Sequence, residues 1–517
     1  MMTLKYLAHS SFLIGCGDLT LIFDPWLKGP AYSRQWYLWP LPADDGNTKN
    51  ADAILISHGH EDHLHIESLQ EFEKTLHIFF PFQWRDGIKP FLKTLGFKKI
   101  TEAVSFKTYN IKNVKITYIG FSLESVIVLE YGDEVLVNIN DALNSNHETA
   151  VNFILKEIKK KWPKINYLLS GWSGASYFPN QIRYPGKNNV EIGQLREQYF
   201  ANNFCRFTNY LQPKFAIPFV PGFVLLKKEN QWINHIKFPR ENVHSYYKNL
   251  FNNNSEIKFI ISYPGDIIEN GQLKKYSFLH DIPEKEQYTF AYDHYRKQIS
   301  ESNTIGLLKD NEIDKLINDL RYWINFNKQL YHKNVLEDAA FSIRIEDAKE
   351  NDFINIYFSD NRFIVERSNK PLDGRRLQIN TTGEKLIYAL KKIWGGDIIT
   401  IGYGLTVDIY DQLTLEKNLD IVCVRLITRY PIARKDLVKF PLRALKYYTQ
   451  NPKLTSIWLK QKMQLKPYVN KYPYNERDHW MTYNKCDLCA VCKMPDINFD
   501  IYVTTDNSEN TVLGHVL

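Results

Sequence analysis

The stretch ILISHGHEDHLH, residues 54–65, ends an apolar run in four histidines, one glutamate and one aspartate within eight residues. His58, His60, Asp62 and His63 form the pattern H-x-H-x-D-H. Imidazoles and carboxylates at such spacing suit a divalent transition metal, with iron and zinc both in range. In a loop leaving a strand, His58 and His60 can point at one ion, and Asp62 and His63 at a neighbouring one. A merely histidine-rich polar loop is the bland alternative; four matched positions behind an apolar strand argue against it.

A second cluster lies near the C-terminus. Cys486, Cys489 and Cys492 are spaced C-x2-C-x2-C, with His479 the nearest candidate for a fourth ligand. Thiolates at this spacing can share a zinc ion or an iron–sulfur cluster. The alternative is three reduced thiols. Cys16, Cys205 and Cys423 are scattered, which does not read as a disulfide scaffold. Ser173, Gly174 and Ser176 sit in a loop able to hold phosphate, and Arg183 and Lys187 are candidates to meet an anionic substrate. Trp26, Trp36 and Trp39 are expected to pack the loop beside the metal mouth.

These groups need elements to hold them. The first part alternates strand and helix patterns. Strands are expected at 19–23, 53–57, 77–80, 114–120, 167–169 and 215–219, and helices at 148–161 and 191–211. SVIVLEYGDEVLVNIN reads as a hairpin around Gly132 and Asp133. The pattern predicts a layered α/β domain over 1–290 and a charged helical connector over 291–334. A small α+β domain follows over 335–430, with a strand pair in DIITIGYGLTVDIY, and then a helical tail over 431–517 carrying the cysteines.

Composition narrows the function class. With 44% hydrophobic and 24% charged residues the chain is globular, and its 517 residues exceed one ordinary core. No apolar run reaches the roughly 18–20 residues that span a bilayer. No signal peptide is evident, so a cytoplasmic location is the default expectation. The net charge of +7 is spread along the chain. It leans towards small anionic substrates and shows no nucleic-acid footprint.

The metal loop resembles the signature of the metallo-β-lactamase superfamily at all four positions. HSSFLI (9–14) and FDPWLKG (23–29) precede it in the order typical of the branch that includes N-acyl-phosphatidylethanolamine phospholipase D. DPWLKGPAYSRQWYLWP, LLSGWSGASYFP, KFAIPFVPGF and SYPGD narrow the resemblance to the metallo-β-lactamase-like part of the CMP-N-acetylneuraminate hydroxylase family, over roughly residues 1–290. The resemblance implies an αββα sandwich with metals at the strand ends. His58, His60, Asp62 and His63 carry over as ligands, and Asp141, after the hairpin, as the bridging carboxylate. Asp62 and Asp141 are then the catalytic candidates.

Two histidines of the superfamily pattern are missing. None precedes the hairpin, and Pro218 and Phe219 stand where the last one is expected. Glu124, His65 or His147 are candidates to fill the gaps. His58, His60 and Asp141 alone would make a two-histidine, one-carboxylate set, as favoured by non-haem iron oxygenases. The hydroxylase family uses iron, O2 and electrons delivered through a Rieske centre, which needs C-x-H and C-x-x-H pairs. No C-x-H pair occurs here, so a separate electron-donor protein is an expected partner. Three readings stay open: an iron-dependent oxygenase acting on a small polar or anionic metabolite, a metal-dependent hydrolase of an ester or phosphodiester, and a non-catalytic binding module.

Overall fold

The computed structural model describes residues 1–464, apart from 44–45, 86, 121–123, 145–147, 175–179, 184–187, 252–255, 303–305, 350–351, 393, 412, 415–418 and 430–432. Two sheets stack face to face. The first has eight strands, in the order Gln272–Lys274, Ile267–Glu269, Met2–Ala8, Ser11–Cys16, Leu19–Phe23, Ala53–Leu55, His77–Pro81 and Lys99–Ala103. The last four run parallel. The near-continuous apolar composition of Leu19–Phe23, Ala53–Leu55 and His77–Pro81 is what strands covered on both faces require, whereas the edge strand Lys99–Ala103 is polar and half-exposed. The second has seven strands, with Tyr167–Ser170 and Phe215–Pro218 running parallel to Glu134–Asn140. The expected hairpin is present, Tyr131 pairing with Glu134 across Gly132 and Asp133.

The sandwich core is made by alternate residues of both sheets. Leu21 and Leu55 of the first meet Ile116, Leu136, Leu169 and Ile217 of the second. On the outer face of the first sheet, Ile54, Ile78 and Phe80 bury Leu69 and Leu92 of the helices Ile66–Gln70 and Ile88–Thr94. On the outer face of the second, Val128, Val137 and Leu168 bury Ile154 and Leu155 of Glu148–Lys161, and Phe207 and Leu211 of Asn189–Leu211. The architecture is the αββα sandwich.

A six-stranded sheet follows, ordered Ile182–Arg183, Leu405–Ile409, Leu377–Thr381, Phe341–Ile345, Phe353–Ser359 and Arg362–Ser368. It is the α+β part. Ile313, Leu316, Leu320 and Ile324, at the spacing of one helix face, press Asp310–Asn327 onto it. Its edge strand Ile182–Arg183 comes from the sandwich region of the chain, and Ile192, Tyr199 and Phe200 share its core. The strand pair expected in DIITIGYGLTVDIY is one strand, Leu405–Ile409, preceded by a 3-10 turn at Gly395–Ile398. Four glycines (Gly395, Gly396, Gly402 and Gly404) favour turn over strand there. The helices Ala433–Lys439, Pro441–Thr449 and Pro452–Gln464 return to the sandwich, where Ala444 and Tyr447 pack on Phe82 and Trp84. Among the described residues no helix is long and apolar enough to cross a membrane. Cys486, Cys489, Cys492 and His479 lie outside the described residues.

Candidate metal centre

The carboxyl ends of the parallel strands meet at one edge of the sandwich, the place where open α/β sheets collect ligands. Ala53–Leu55 ends there and releases the loop with His58, His60, Asp62 and His63. Leu19–Phe23 ends there at Asp24, and Glu134–Asn140 delivers Asn140 and Asp141 from the second sheet.

Asp24 is the root of the arrangement. Its side chain is fully buried. A buried carboxylate is tolerated only with its lone pairs filled. Oδ1 accepts the Ser57 backbone N–H at 2.7 Å. Oδ2 accepts the Ser57 hydroxyl at 2.7 Å and the Asn140 amide at 2.6 Å, and lies 3.1 Å from His63 Nδ1. Ser57 donates to Asp24, so its oxygen is left to accept from His58 Nδ1 at 2.9 Å. One carboxylate therefore holds the proton on Nδ1 of both His63, directly, and His58, through Ser57, and turns both Nε2 lone pairs towards the crevice. This is the carboxylate–histidine support seen behind metal-ligating imidazoles.

The His58 Nε2 lone pair faces His60 Nδ1 at 2.9 Å, and what the His63 lone pair faces fits a metal. His63 Nε2 is buried with no hydrogen-bond donor to it, 3.3 Å from Asp62 Oδ2 and 3.2 Å from Asp141 Oδ2. An imidazole lone pair beside two carboxylate oxygens is repulsive without a positive charge between them. Burial works to lower the pKa of His63, but Asp62 and Asp141 outweigh it and hold the ring well above its ordinary value. The site demands a cation there, whether proton or metal ion. Asp62 shows the converse: burial raises its carboxyl, but His63 and His9 hold it well below the usual range. Burial, then the neighbouring His63 and His60, push His58 well below its ordinary value. His58 is thus a neutral imidazole, the state that ligation needs.

Ligand atoms of His58, His60 and Glu124 lie within 4.8 Å of one another, as do those of His58, His63 and Asp141 and those of His9, Asp62 and His63. One imidazole nitrogen serves one ion. With His58 counted in the trio with His60 and Glu124, His63 Nε2 is left between Asp62 and Asp141, at 3.3 and 3.2 Å. Glu124 stands where the histidine before the hairpin is missing. The set expected from the sequence alone, His58 with His60 and Asp141, is not what the structure groups. Asp141 faces His63 and His58, and His60 faces Glu124.

His9 joins the site although its position in the sequence gave it no role. Its Nδ1 accepts the Gly222 backbone N–H at 3.0 Å, which leaves the proton on Nε2, directed at Asp62 Oδ2 at 3.1 Å. His9 is therefore a donor to Asp62. Tyr32 donates to the other oxygen, Oδ1, at 2.6 Å. Gly222 follows the late strand Phe215–Pro218, so this end of the site is closed by a hydrogen-bonded His9 where the superfamily pattern places a last ligand histidine.

Other candidates fall elsewhere. His65 caps the helix Ile66–Gln70 by accepting from the Ser68 N–H and packs against Trp26, so it fills no ligand gap. Trp26 and Trp36 flank His9, and Trp39 is buried further off against Val224 and Tyr288. Ser173 is hydrogen-bonded to Glu197, and Arg183 pairs with Asp408 at the surface. His147, Ser176 and Lys187 lie outside the described residues.

Residues 3–148 match the family model of a β-lactamase superfamily domain. The chain is also similar to cytidine monophosphate-N-acetylneuraminic acid hydroxylase of Mus musculus, 25% identical over 293 residues, covering 53% of this chain and 48% of the relative. The Danio rerio hydroxylase is 40% identical over 260 residues, covering 45% and 40%. The Homo sapiens relative, described as inactive, is 24% identical over 302 residues, covering 53% and 55%. The chain spans about half the length of the curated relatives it matches. Among solved structures, a possible metal-dependent hydrolase from Veillonella parvula is 13% identical with a TM-score of 0.37, covering 52% of this chain and 99% of that one. CmlA, a diiron beta-hydroxylase from Streptomyces venezuelae, is 12% identical with a TM-score of 0.34, covering 53% and 54%.

Proposed function

We propose that this chain is an iron-dependent hydroxylase of a small anionic metabolite, with two metal positions, one held by His58, His60 and Glu124 and the other by Asp62, His63 and Asp141. The observation that carries this reading is the ligand balance. A carboxylate, Glu124, stands in the imidazole position beside His58 and His60, so three carboxylates meet three imidazoles. Carboxylate-rich sets of this kind suit iron, as in the di-iron carboxylate proteins. Bound iron would supply O2 activation. The protein's own contribution is to fix the Nε2 lone pairs through Asp24, to hold Asp62 between Tyr32 and His9, and to keep Asp141 at the crevice edge as an acceptor for a substrate proton. The hydroxylase relatives support an anionic, nucleotide-linked substrate, in line with the net charge of +7. No C-x-H pair occurs in these 517 residues, so the electrons come from a separate donor protein or from a centre at Cys486, Cys489 and Cys492. The unmatched cysteines Cys486, Cys489 and Cys492 remain candidates for a zinc or iron–sulfur site on their spacing alone.

The hydrolase is the second reading, favoured by the intact H-x-H-x-D-H loop, which can equally lower the pKa of a bound water. Iron-loaded protein, a chemical reductant and CMP-N-acetylneuraminate as probe distinguish the two. Gain of one oxygen atom only when O2 and reductant are both present is the expected result. Cleavage of the probe at equal rates with and without O2 would contradict the hydroxylase and favour the hydrolase.

A further inference from the structure

The segment between Asp24 and the metal loop contains an unusual backbone. Tyr32, Ser33 and Arg34 all have positive φ, at 52°, 57° and 63°. Three consecutive non-glycine residues in the left-handed region are strained, and such strain persists only where surrounding structure over-determines it. On one side the hold is clear. The Tyr32 ring is buried against Trp36, at 4.7 Å between centroids, and Trp36 stacks on Phe223 at 3.8 Å.

On the other side the hold comes from the α+β domain. Gln35 Nε2 donates to the Ile398 carbonyl at 2.7 Å and to the Tyr32 carbonyl at 2.9 Å, tying the strained turn to the glycine-rich turn of the second sheet. The fit is tight. A Cβ on Gly402 would lie 2.7 Å from Gln35 Nε2 and 2.8 Å from Tyr32 Cβ, and one on Gly404 would lie 2.9 Å from Gln35 Oε1. Tyr403 and Ile401 complete the apolar cluster that encloses Tyr32 and Trp36. At the far end of the same turn the Tyr32 hydroxyl reaches Asp62 Oδ1.

We propose that the α+β domain positions the metal loop of the sandwich: through Gln35 it fixes the Tyr32 turn, and Tyr32 is a positioning residue that orients Asp62. The inference rests on the reading of His58, His60, Asp62, His63, Glu124 and Asp141 as a metal centre. It gives the second domain a role beyond its own fold. A Cβ at 402 or 404 would also lie 2.6 Å from the Ile398 carbonyl, so glycine serves both the turn itself and its close approach, and the Gln35 amide has the two N–H groups that bridge both carbonyls.

The test is a Co2+ titration of the full chain, followed by visible absorption, whose band intensity reports coordination number. Wild type is compared with Tyr32→Phe, Gln35→Met and Gly402→Ala. Far-UV circular dichroism and the urea midpoint establish that each variant is folded, and Gln35→Met serves if Gly402→Ala is not. The expected result is that Tyr32→Phe and Gln35→Met each weaken the most weakly held Co2+ by about 10–100-fold, with a changed band intensity. Unchanged affinity and spectrum in both variants overturn the proposal. A loss in Tyr32→Phe with none in Gln35→Met overturns the domain's part in it. If wild type binds no Co2+ at all, the metal reading fails first and takes this inference with it.

Discussion

At the scale of single residues, Asp24 decides more than any ligand. It fixes the proton on Nδ1 of two histidines, one directly and one through Ser57, so the direction of both Nε2 lone pairs depends on one carboxylate. Asp24→Asn keeps the volume and removes the charge, and the amide presents a donor where an acceptor is needed. We expect metal affinity to fall by about 10–100-fold, measured by equilibrium dialysis against Co2+; affinity equal to wild type would contradict the assignment. The sequence displayed His58, His60, Asp62 and His63 because they share one loop, where spacing is visible. Asp24, Tyr32 and His9 come from other elements, and only the packing of two sheets brings them together. His9 could have been suspected from HSSFLI, which stands ahead of the metal loop, but nothing in its spacing showed that its Nδ1 would be occupied by Gly222. Glu124 was legible as one of several fillers for a missing histidine. Choosing it over His65 required the helix cap that occupies His65.

At the scale of elements, the hairpin is the part that places chemistry. Its second strand, Glu134–Asn140, ends in a left-handed residue, Asn140 at φ 52°, whose amide donates to Asp24 as the chain turns to present Asp141. Asparagine tolerates this conformation and supplies the donor together. Asn140→Gly keeps the backbone and loses the hydrogen bond, at about 1–3 kcal/mol for the acceptor left less satisfied. Asn140→Val loses the bond and strains the turn, adding about 1–3 kcal/mol more. Urea unfolding should rank wild type above Asn140→Gly and Asn140→Val lowest; equal midpoints for the two variants would contradict the strain account. The hairpin itself was readable from its alternation and central Gly132. The turn at Gly395–Ile398 was not, because apolar β-branched residues around it imitate a strand while the glycines favour close approach to the Tyr32 turn.

At the scale of the whole molecule, the sandwich and the α+β part are not separate beads. The strand Ile182–Arg183 and the helix residues Ile192, Tyr199 and Phe200 put sandwich sequence into the second core, and the helix Pro441–Thr449 returns to the first. Contiguity along the chain hides such exchanges, which is why a division by sequence pattern cannot show the shared strand. The consequence for function is a metal loop held from both sides. The central claim is that this crevice carries a metal centre of six ligands divided between two positions. The most direct measurement is metal quantification on protein purified anaerobically and reconstituted with Fe2+, for wild type and for His63→Ala. The account predicts about two iron ions per chain in wild type, as in other carboxylate-bridged pairs, and about one in His63→Ala. Iron absent from wild type, or content unchanged by loss of His63, would contradict it.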